Sequence, residues 1–181
     1  MKFTKVAVLL AVFALATVPM FGQITSTPVA TTPISVLRGE SISLIVSTPL
    51  PQLTLAVGAL TSDTQNVIVH SSWNLKQTRT NGVQICAYTN SALAGTGGNP
   101  DTIAIGDIYI TPSSGPAVAL GSGTACGVSG AVEYTSYVTA TAAERKNFSG
   151  QDDTIPVYVQ IPTDVAADTY TGTLNLIAYS N

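Results

Sequence analysis

The chain has 181 residues, of which 45% are hydrophobic and 9% are charged, and its seven basic and ten acidic residues give a net charge of −3. This composition excludes a disordered acidic tail and a basic nucleic-acid-binding protein, because the chain has neither a high charge density nor a surplus of lysine and arginine. The length is that of roughly one domain of about 100 to 200 residues.

The first 22 residues have the pattern of a secretory signal peptide. Lys2 and Lys5 make the start of the chain positive, and the 11 residues 6–16 include no polar side chain. This apolar run is shorter than the roughly 20 residues needed to span a bilayer, so we expect export and cleavage rather than a retained anchor. The pattern favours a bacterial protein that is secreted, periplasmic or displayed at the cell surface.

The expected mature chain is acidic. Without the two leader lysines it carries five basic and ten acidic residues, a balance that repels phosphate backbones and anionic lipid heads alike. We therefore expect no nucleic-acid partner and no integral membrane segment after cleavage.

Beyond the leader, we expect an extended segment rich in proline and threonine over residues 23–33 and one folded domain over residues 34–181. Apolar residues there alternate with polar or small ones and show no sustained helical period, which predicts strands. The candidate strands are residues 34–37, 42–46, 53–59, 67–75, 83–88, 103–110, 117–120, 132–138, 155–161 and 170–179.

Glycine and proline occupy almost every gap between these strands. The pair Asn81–Gly82 favours positive φ and predicts a hairpin between the strands on either side, and residues 150–153 are predicted as another turn. Only residues 140–147 favour a helical turn. Many short strands with turn chemistry between them predict an all-β, immunoglobulin-like antiparallel β-sandwich rather than a parallel α/β sheet.

The two cysteines, Cys86 and Cys126, are predicted to form a disulfide bond, because export places them in an oxidising compartment. A metal site would need more ligands: two cysteines and the single His70 do not complete the usual four, and neither CxxC nor HExxH occurs. We expect no metal and no cofactor.

His70 is the residue that best tests an enzymatic interpretation. Alternation places it on the strand face of Ile68 and Ser72, opposite the face that contains Trp73, which is predicted to be a core residue. No GxSxG or comparable nucleophile context accompanies it. We therefore interpret His70 as a structural strand residue and expect a protein that is not an enzyme.

The late aspartates have a structural interpretation as well. They lack the spaced pattern of a calcium loop, and aspartate commonly bonds its own backbone in turns. We interpret them as turn residues: Asp152, Asp153, Asp164 and Asp168.

Tyrosines provide a second functional hypothesis. Aromatic rings stack on the apolar faces of sugars, and Tyr134 and Tyr137 are the candidate ligand face, with Tyr109 and Tyr158 among the further tyrosines that could line one. The partners of such a face would be surface glycans.

The C-terminal segment 161–179 reads IPTDVAADTYTGTLNLIAY. This segment has a proline with small residues, then Thr-Tyr, then a final alternating strand that reaches a tyrosine. It resembles the ending of bacterial fimbrial and spore-coat-protein-U-like secreted subunits. The leader and the central position of Cys86 are also similar to those of such subunits. The resemblance implies an immunoglobulin-like sandwich exported through the periplasm, with self-association or a periplasmic chaperone as its partners. It also implies donor-strand exchange, in which an extended segment of one subunit fills an open sheet edge of the next.

The candidate donor strand lies in residues 23–37. Pro28 and Pro33 have no backbone N–H for a β-ladder, so Ile34 and Val36 are the residues expected to pair. The sequence thus predicts an exported, non-enzymatic structural or adhesion subunit, fimbrial or coat-like, that acts through strand edges. The alternative is a secreted carbohydrate-binding β-sandwich module.

Overall fold

A computed structural model describes residues 39–55 and 59–180. Within these ranges the chain forms eleven strands and two single 3-10 turns, Ile105–Asp107 and Ala125–Gly127. The strands are β1 Ser41–Thr48, β2 Gln65–Asn74, β3 Val83–Tyr88, β4 Leu93–Gly95, β5 Thr102–Ile103, β6 Ile108–Ile110, β7 Val118–Ala119, β8 Val132–Tyr137, β9 Lys146–Val159, β10 Tyr170–Thr171 and β11 Asn175–Tyr179. The predicted leader, the segment 23–33 and the predicted strand 34–37 lie outside the described residues.

The strands form three sheets, and every pairing is antiparallel. The largest has the order β1-β2-β9-β6-β7, and two three-stranded sheets have the orders β11-β3-β8 and β10-β4-β5. The predicted all-β antiparallel class is confirmed. No helix in the described ranges has the length and apolarity that crossing a bilayer requires.

One hydrophobic cluster lies between the five-stranded sheet and the sheet β11-β3-β8. Val69 and Val157 enter it from the first sheet and Val83 and Ile85 from the second, and all four are almost completely buried. Burial of such a side chain contributes about 1.5–3 kcal/mol. Two sheets that share a core in this way have the arrangement of a sandwich.

The predicted disulfide is confirmed. Cys86 in β3 is bonded to Cys126 in the second 3-10 turn across a sequence separation of 40 residues. Both cysteines are buried in a smaller cluster with Ala131, against which Ile177 and Tyr179 of β11 pack. The bond therefore fixes an irregular segment to the sheet β11-β3-β8.

The hairpin predicted at Asn81–Gly82 is wrong, because β2 and β3 belong to different sheets. The positive φ is present: Gly82 has φ +98°, and a Cβ there would lie 2.7 Å from the carbonyl oxygen of Tyr137. The Gly82 N–H donates to Thr139 Oγ1 at 3.1 Å. A residue pair that favours positive φ thus marks a sharp change of direction, but it does not determine which strands pair.

The turn predicted at residues 150–153 is also wrong, since these residues lie inside β9. Gly150 has φ +70°, and the pairing of β2 with β9 shifts register nearby, between Ser71 and Trp73. A Cβ on Gly150 would lie 2.1 Å from His70 Nε2. Glycine here permits an irregularity within a paired strand. In the sequence, such a glycine is indistinguishable from one in a turn.

Three predicted strands are shorter or interrupted. The 3-10 turn Ile105–Asp107 divides the predicted strand 103–110, and residues 172–174 separate β10 from β11, which lie in different sheets. Residues 53–55 are not in a strand, and residues 56–58 lie outside the described residues. Periodicity shows which side of the chain is apolar, but not where pairing stops.

Candidate functional site

β11 is an edge strand with apolar side chains on both faces. Within the described residues it pairs only with β3, so its second backbone edge has no partner there. Leu176 and Ala178 pack against the main core and Ile177 and Tyr179 against the disulfide cluster, and all are only partly buried. An unpaired edge of this kind is a template for another extended chain.

β1 is the neighbouring edge strand, and it belongs to the five-stranded sheet. Ile42, Leu44 and Val46 lie opposite inward-facing residues of β2, so they share the inner face of the sheet. Ile42 and Leu44 are partly buried, whereas Val46 is 47% exposed although its partner Val69 is fully buried. The inner face of this sheet is therefore incompletely covered at β1.

A groove of about 990 Å³ lies at the end of the sandwich where β1 ends and β11 begins, with Leu50 and Leu174 among its lining residues. Core residues such as Ile103 and Val159 also line it. The groove therefore leads from the surface to the hydrophobic core.

We call the open side the groove together with the outer edges of β1 and β11, neither of which has a second strand partner among residues 39–55 and 59–180. The two edges present backbone N–H and C=O groups, and the groove accepts apolar side chains. An extended peptide with apolar residues at every second position meets both requirements. Ile34 and Val36, the predicted donor residues, lie outside the described residues.

Of the two predicted ligand-face tyrosines, Tyr134 is buried in the core and Tyr137 is partly buried against it. Tyr134 is 9% exposed, and its hydroxyl donates to the carbonyl oxygen of Thr154 at 2.8 Å. The Tyr137 ring stacks on Trp73 with 5.3 Å between ring centroids, and its hydroxyl donates to Asp153. Burial raises the pKa of both tyrosine hydroxyls.

Tyr109 and Tyr158 are more exposed than Tyr134. They are cross-strand partners on β6 and β9, both partly buried, and their rings stack with 5.0 Å between centroids and an interplanar angle of 3°. Their sequence neighbours Ile108, Ile110 and Val157 face the core. Alternation therefore places the tyrosine pair on the outer face of the five-stranded sheet.

His70 is also on the outer face. Its Nδ1 lies 2.7 Å from Asp152 Oδ1, and the two residues are register partners in β2 and β9. Asp152 is thus a strand residue that pairs with a histidine, and its interpretation as a turn residue is wrong. No third histidine, cysteine or acidic side chain joins this pair into a metal-binding group in the described part of the chain.

Asp153 faces inward, so its interpretation as a turn residue is wrong as well. Together with Ser71 and Gln151 it forms what we call the inner polar cluster, on the inner face of β2 and β9. Ser71 is fully buried, and Asp153 is 8% exposed. Burial and the nearby Asp152 charge raise the pKa of Asp153, while its hydrogen bond from Tyr137 opposes this shift.

Sequence reasoning missed the inner polar cluster. The available signal is alternation, which puts Val69, Ser71 and Trp73 on one face of β2. Every second residue of the strand that pairs with β2 then lies beside them. Recognising this requires knowing that β9 is the partner of β2, and the sequence does not indicate it.

Asp153 gives the protein a pH dependence with a defined sign. Because its folded pKa is above the usual value of 3.8, the stability it contributes is fully present below that value and is lost as pH rises through the folded pKa. Asp153→Asn, which stays neutral, should therefore gain stability relative to wild type as pH rises from acidic to neutral. Urea unfolding of both proteins across this range measures the difference.

The comparison between the two proteins removes the contribution of other carboxylates, such as the partly buried Glu40 and the exposed Asp63. Backbone hydrogen bonds lower the pKa of each, so their contribution to stability is lost as pH falls, opposite to that of Asp153. This contribution is the same in wild type and in Asp153→Asn. A stability difference that does not change with pH would contradict the assignment of a raised pKa to Asp153.

Comparisons with protein-family models, with curated proteins and with solved structures find no match to this chain. The open side and the inner polar cluster are therefore the basis for assigning a function.

Proposed function

We propose that the protein is an exported, non-enzymatic structural subunit of the bacterial surface, fimbrial or coat-like, whose copies join by strand addition at the open side. The observation that carries the proposal is the exposure of Val46. It is 47% exposed on the inner face of an edge strand, opposite a fully buried Val69. Apolar residues in such positions are normally covered by a neighbouring strand, and a strand from another subunit provides that cover.

We assign the added strand to residues 34–37 of a second copy. Ile34 and Val36 are separated by one residue, so in an extended segment both point to the same face. The resemblance to fimbrial and coat subunits implies that such a segment pairs with a neighbouring subunit rather than with its own chain.

The energies involved favour a concentration-dependent assembly. Burial of Ile34 and Val36 contributes about 1.5–3 kcal/mol each, and each new backbone hydrogen bond adds about 0.5–1.5 kcal/mol. Loss of translational and rotational freedom on association costs about 4–15 kcal/mol. Since these sums are similar in size, we expect the oligomer population to rise with protein concentration.

The test uses mature protein purified from the periplasm, with light scattering across a concentration series and electron microscopy. We expect oligomers or fibres for wild type, and Val36→Asp should weaken association by more than about a hundredfold, because it buries an unpaired charge. Ser35→Asp is the matched control: it adds the same charge on the opposite face and should still assemble. A wild-type protein that stays monomeric throughout, or equal behaviour of the two variants, would overturn the proposal.

The stacked Tyr109–Tyr158 pair favours a second candidate, a secreted carbohydrate-binding module. The pair is partly exposed on the outer face of the sheet, and Tyr109→Ala should abolish a glycan-array signal if the rings stack on a sugar. Tyr170→Ala provides a tyrosine control outside this pair. A monomer whose glycan signal depends on Tyr109 would favour this function over strand-mediated assembly.

A further inference from the structure

The segment between β2 and β3 contains the step Asn81–Gly82, in which an exposed asparagine precedes a buried glycine. An asparagine amide followed by glycine is prone to attack by the next backbone nitrogen. The attack is intramolecular and closes a five-membered ring, and glycine has no side chain to hinder it. The surroundings of the Gly82 N–H therefore determine how stable Asn81 is.

A buried hydroxyl holds the Gly82 N–H. This N–H donates to Thr139 Oγ1 at 3.1 Å, and Thr139 is fully buried. The same hydroxyl donates to the carbonyl oxygen of Arg79 at 2.9 Å. Thr139 Oγ1 thus accepts from one end of the segment 79–82 and donates to the other, which uses both roles of a hydroxyl and fixes the backbone on both sides of Asn81.

Thr139 and Gly82 are also fixed from other directions. Arg145 is 8% exposed, and its Nη1 donates to the carbonyl oxygen of Thr139 at 3.0 Å. Gly82 packs so closely on β8 that a Cβ would lie 2.7 Å from the carbonyl oxygen of Tyr137. A backbone nitrogen attacks only after base removes its proton, and base from solvent does not reach a buried N–H that is bonded to a buried hydroxyl. The fold therefore protects Asn81 while the bond to Thr139 holds.

We propose that Asn81 is a latent deamidation site that the Thr139 hydroxyl keeps closed. When the segment 79–82 opens, solvent base removes the Gly82 amide proton, and the nitrogen bonds to Asn81 Cγ. The Cγ–Nδ2 bond breaks, and Nδ2 takes a proton from water and leaves as ammonia. Water then opens the succinimide ring and gives an aspartate or an isoaspartate at position 81. The reaction converts one carboxamide into one carboxyl group and one ammonia, with water as the only co-reactant.

The modification would make a local opening permanent. Isoaspartate adds a methylene group to the backbone, so Gly82 could not return to its place against Tyr137, where even a Cβ does not fit. Either product also adds a negative charge to a chain that already has an excess of acidic residues. The segment 79–82 is not part of the open side, so this inference does not rest on the proposed function.

Peptide mapping of the wild-type exported protein, incubated in native buffer and in urea, tests the inference. Asn81 lies in the tryptic peptide 80–145 with Asn90 and Asn99, so fragment ions assign the change to one position. We expect Asn81 to deamidate more than about tenfold slower in native buffer than in urea. Hydrogen exchange of the Gly82 N–H should be slowed by the same factor, because both reactions require the same opening. Equal deamidation rates in the two solvents would overturn the inference, as would a freely exchanging Gly82 N–H beside a protected Asn81.

Variants at Thr139 test the role of its hydroxyl. Folded Thr139→Val should deamidate at Asn81 about tenfold faster than wild type, the rate effect of one lost hydrogen bond, whereas Thr139→Ser keeps a hydroxyl and should match wild type. Thr89→Val is the matched control, because Thr89 is also a buried threonine but its hydroxyl contacts the backbone of Ser91. A folded Thr139→Val protein that is as stable at Asn81 as wild type would overturn the inference. If Thr139→Val does not fold, the wild-type comparison of deamidation with Gly82 exchange decides.

Discussion

Replacement of Cys86 and Cys126 together by alanine is expected to lower the free energy of unfolding by about 4 kcal/mol. The bond spans a sequence separation of 40 residues, and a loop of that size restricts the unfolded chain by about this amount in the chain-entropy model. Both sulfurs are also buried in the cluster that contains Ala131. Urea unfolding of the variant and of the oxidised wild type measures the loss.

Reduction of the wild type provides an independent check, because it opens the same loop without a substitution. The single variant Cys126→Ala should lose nearly as much stability as the double variant, since either change removes the whole cross-link. A loss below about 1 kcal/mol would contradict the prediction and indicate that the unfolded chain is already restricted by other means.

The part of the fold that depends on local pattern was predicted from the sequence. β3 occupies the predicted residues 83–88, and the predicted strand 67–75 corresponds closely to β2. In β2 the faces are also correct: Trp73 is buried and His70 is not. Alternation determines which side chains share a face, so it predicts these features directly.

Pairing between distant strands was not predicted. His70 and Asp152 form a side-chain pair across 82 residues, and no local pattern connects them. Gly150 illustrates the same limit, because a glycine at positive φ serves equally in a turn and in an irregular paired strand. The inner polar cluster depends on this pairing, because Asp153 faces inward only where β9 lies beside β2.

The open side is a property of what lies next to a strand rather than of the strand itself. The sequence of β11 alternates as any edge or central strand does, and only its position at the end of the order β11-β3-β8 exposes it. The resemblance of residues 161–179 to fimbrial and coat subunits implies a strand-edge function, and this function stays a proposal that the assembly experiment tests.

Replacement of Trp73 by alanine is expected to lower the free energy of unfolding by about 3–5 kcal/mol, the range for loss of a large buried aromatic side chain. The indole is 5% exposed, stacks on Tyr137, and donates from Nε1 to the carbonyl oxygen of Glu144 at 2.8 Å. Its loss removes one face of the contact that holds Tyr137 against Asp153. The measurement is urea unfolding at neutral pH.

Trp73→Phe separates packing from hydrogen bonding. Phenylalanine keeps an aromatic face for Tyr137 but cannot donate to the carbonyl of the exposed Glu144, so we expect a loss of about 0.5–1.5 kcal/mol, the net contribution of one hydrogen bond. If packing dominates, as the stacked geometry indicates, alanine must cost clearly more than phenylalanine. Equal losses in the two variants would contradict this prediction. They would assign the whole effect to the hydrogen bond between Trp73 and the Glu144 carbonyl and leave the aromatic stack without a measurable role.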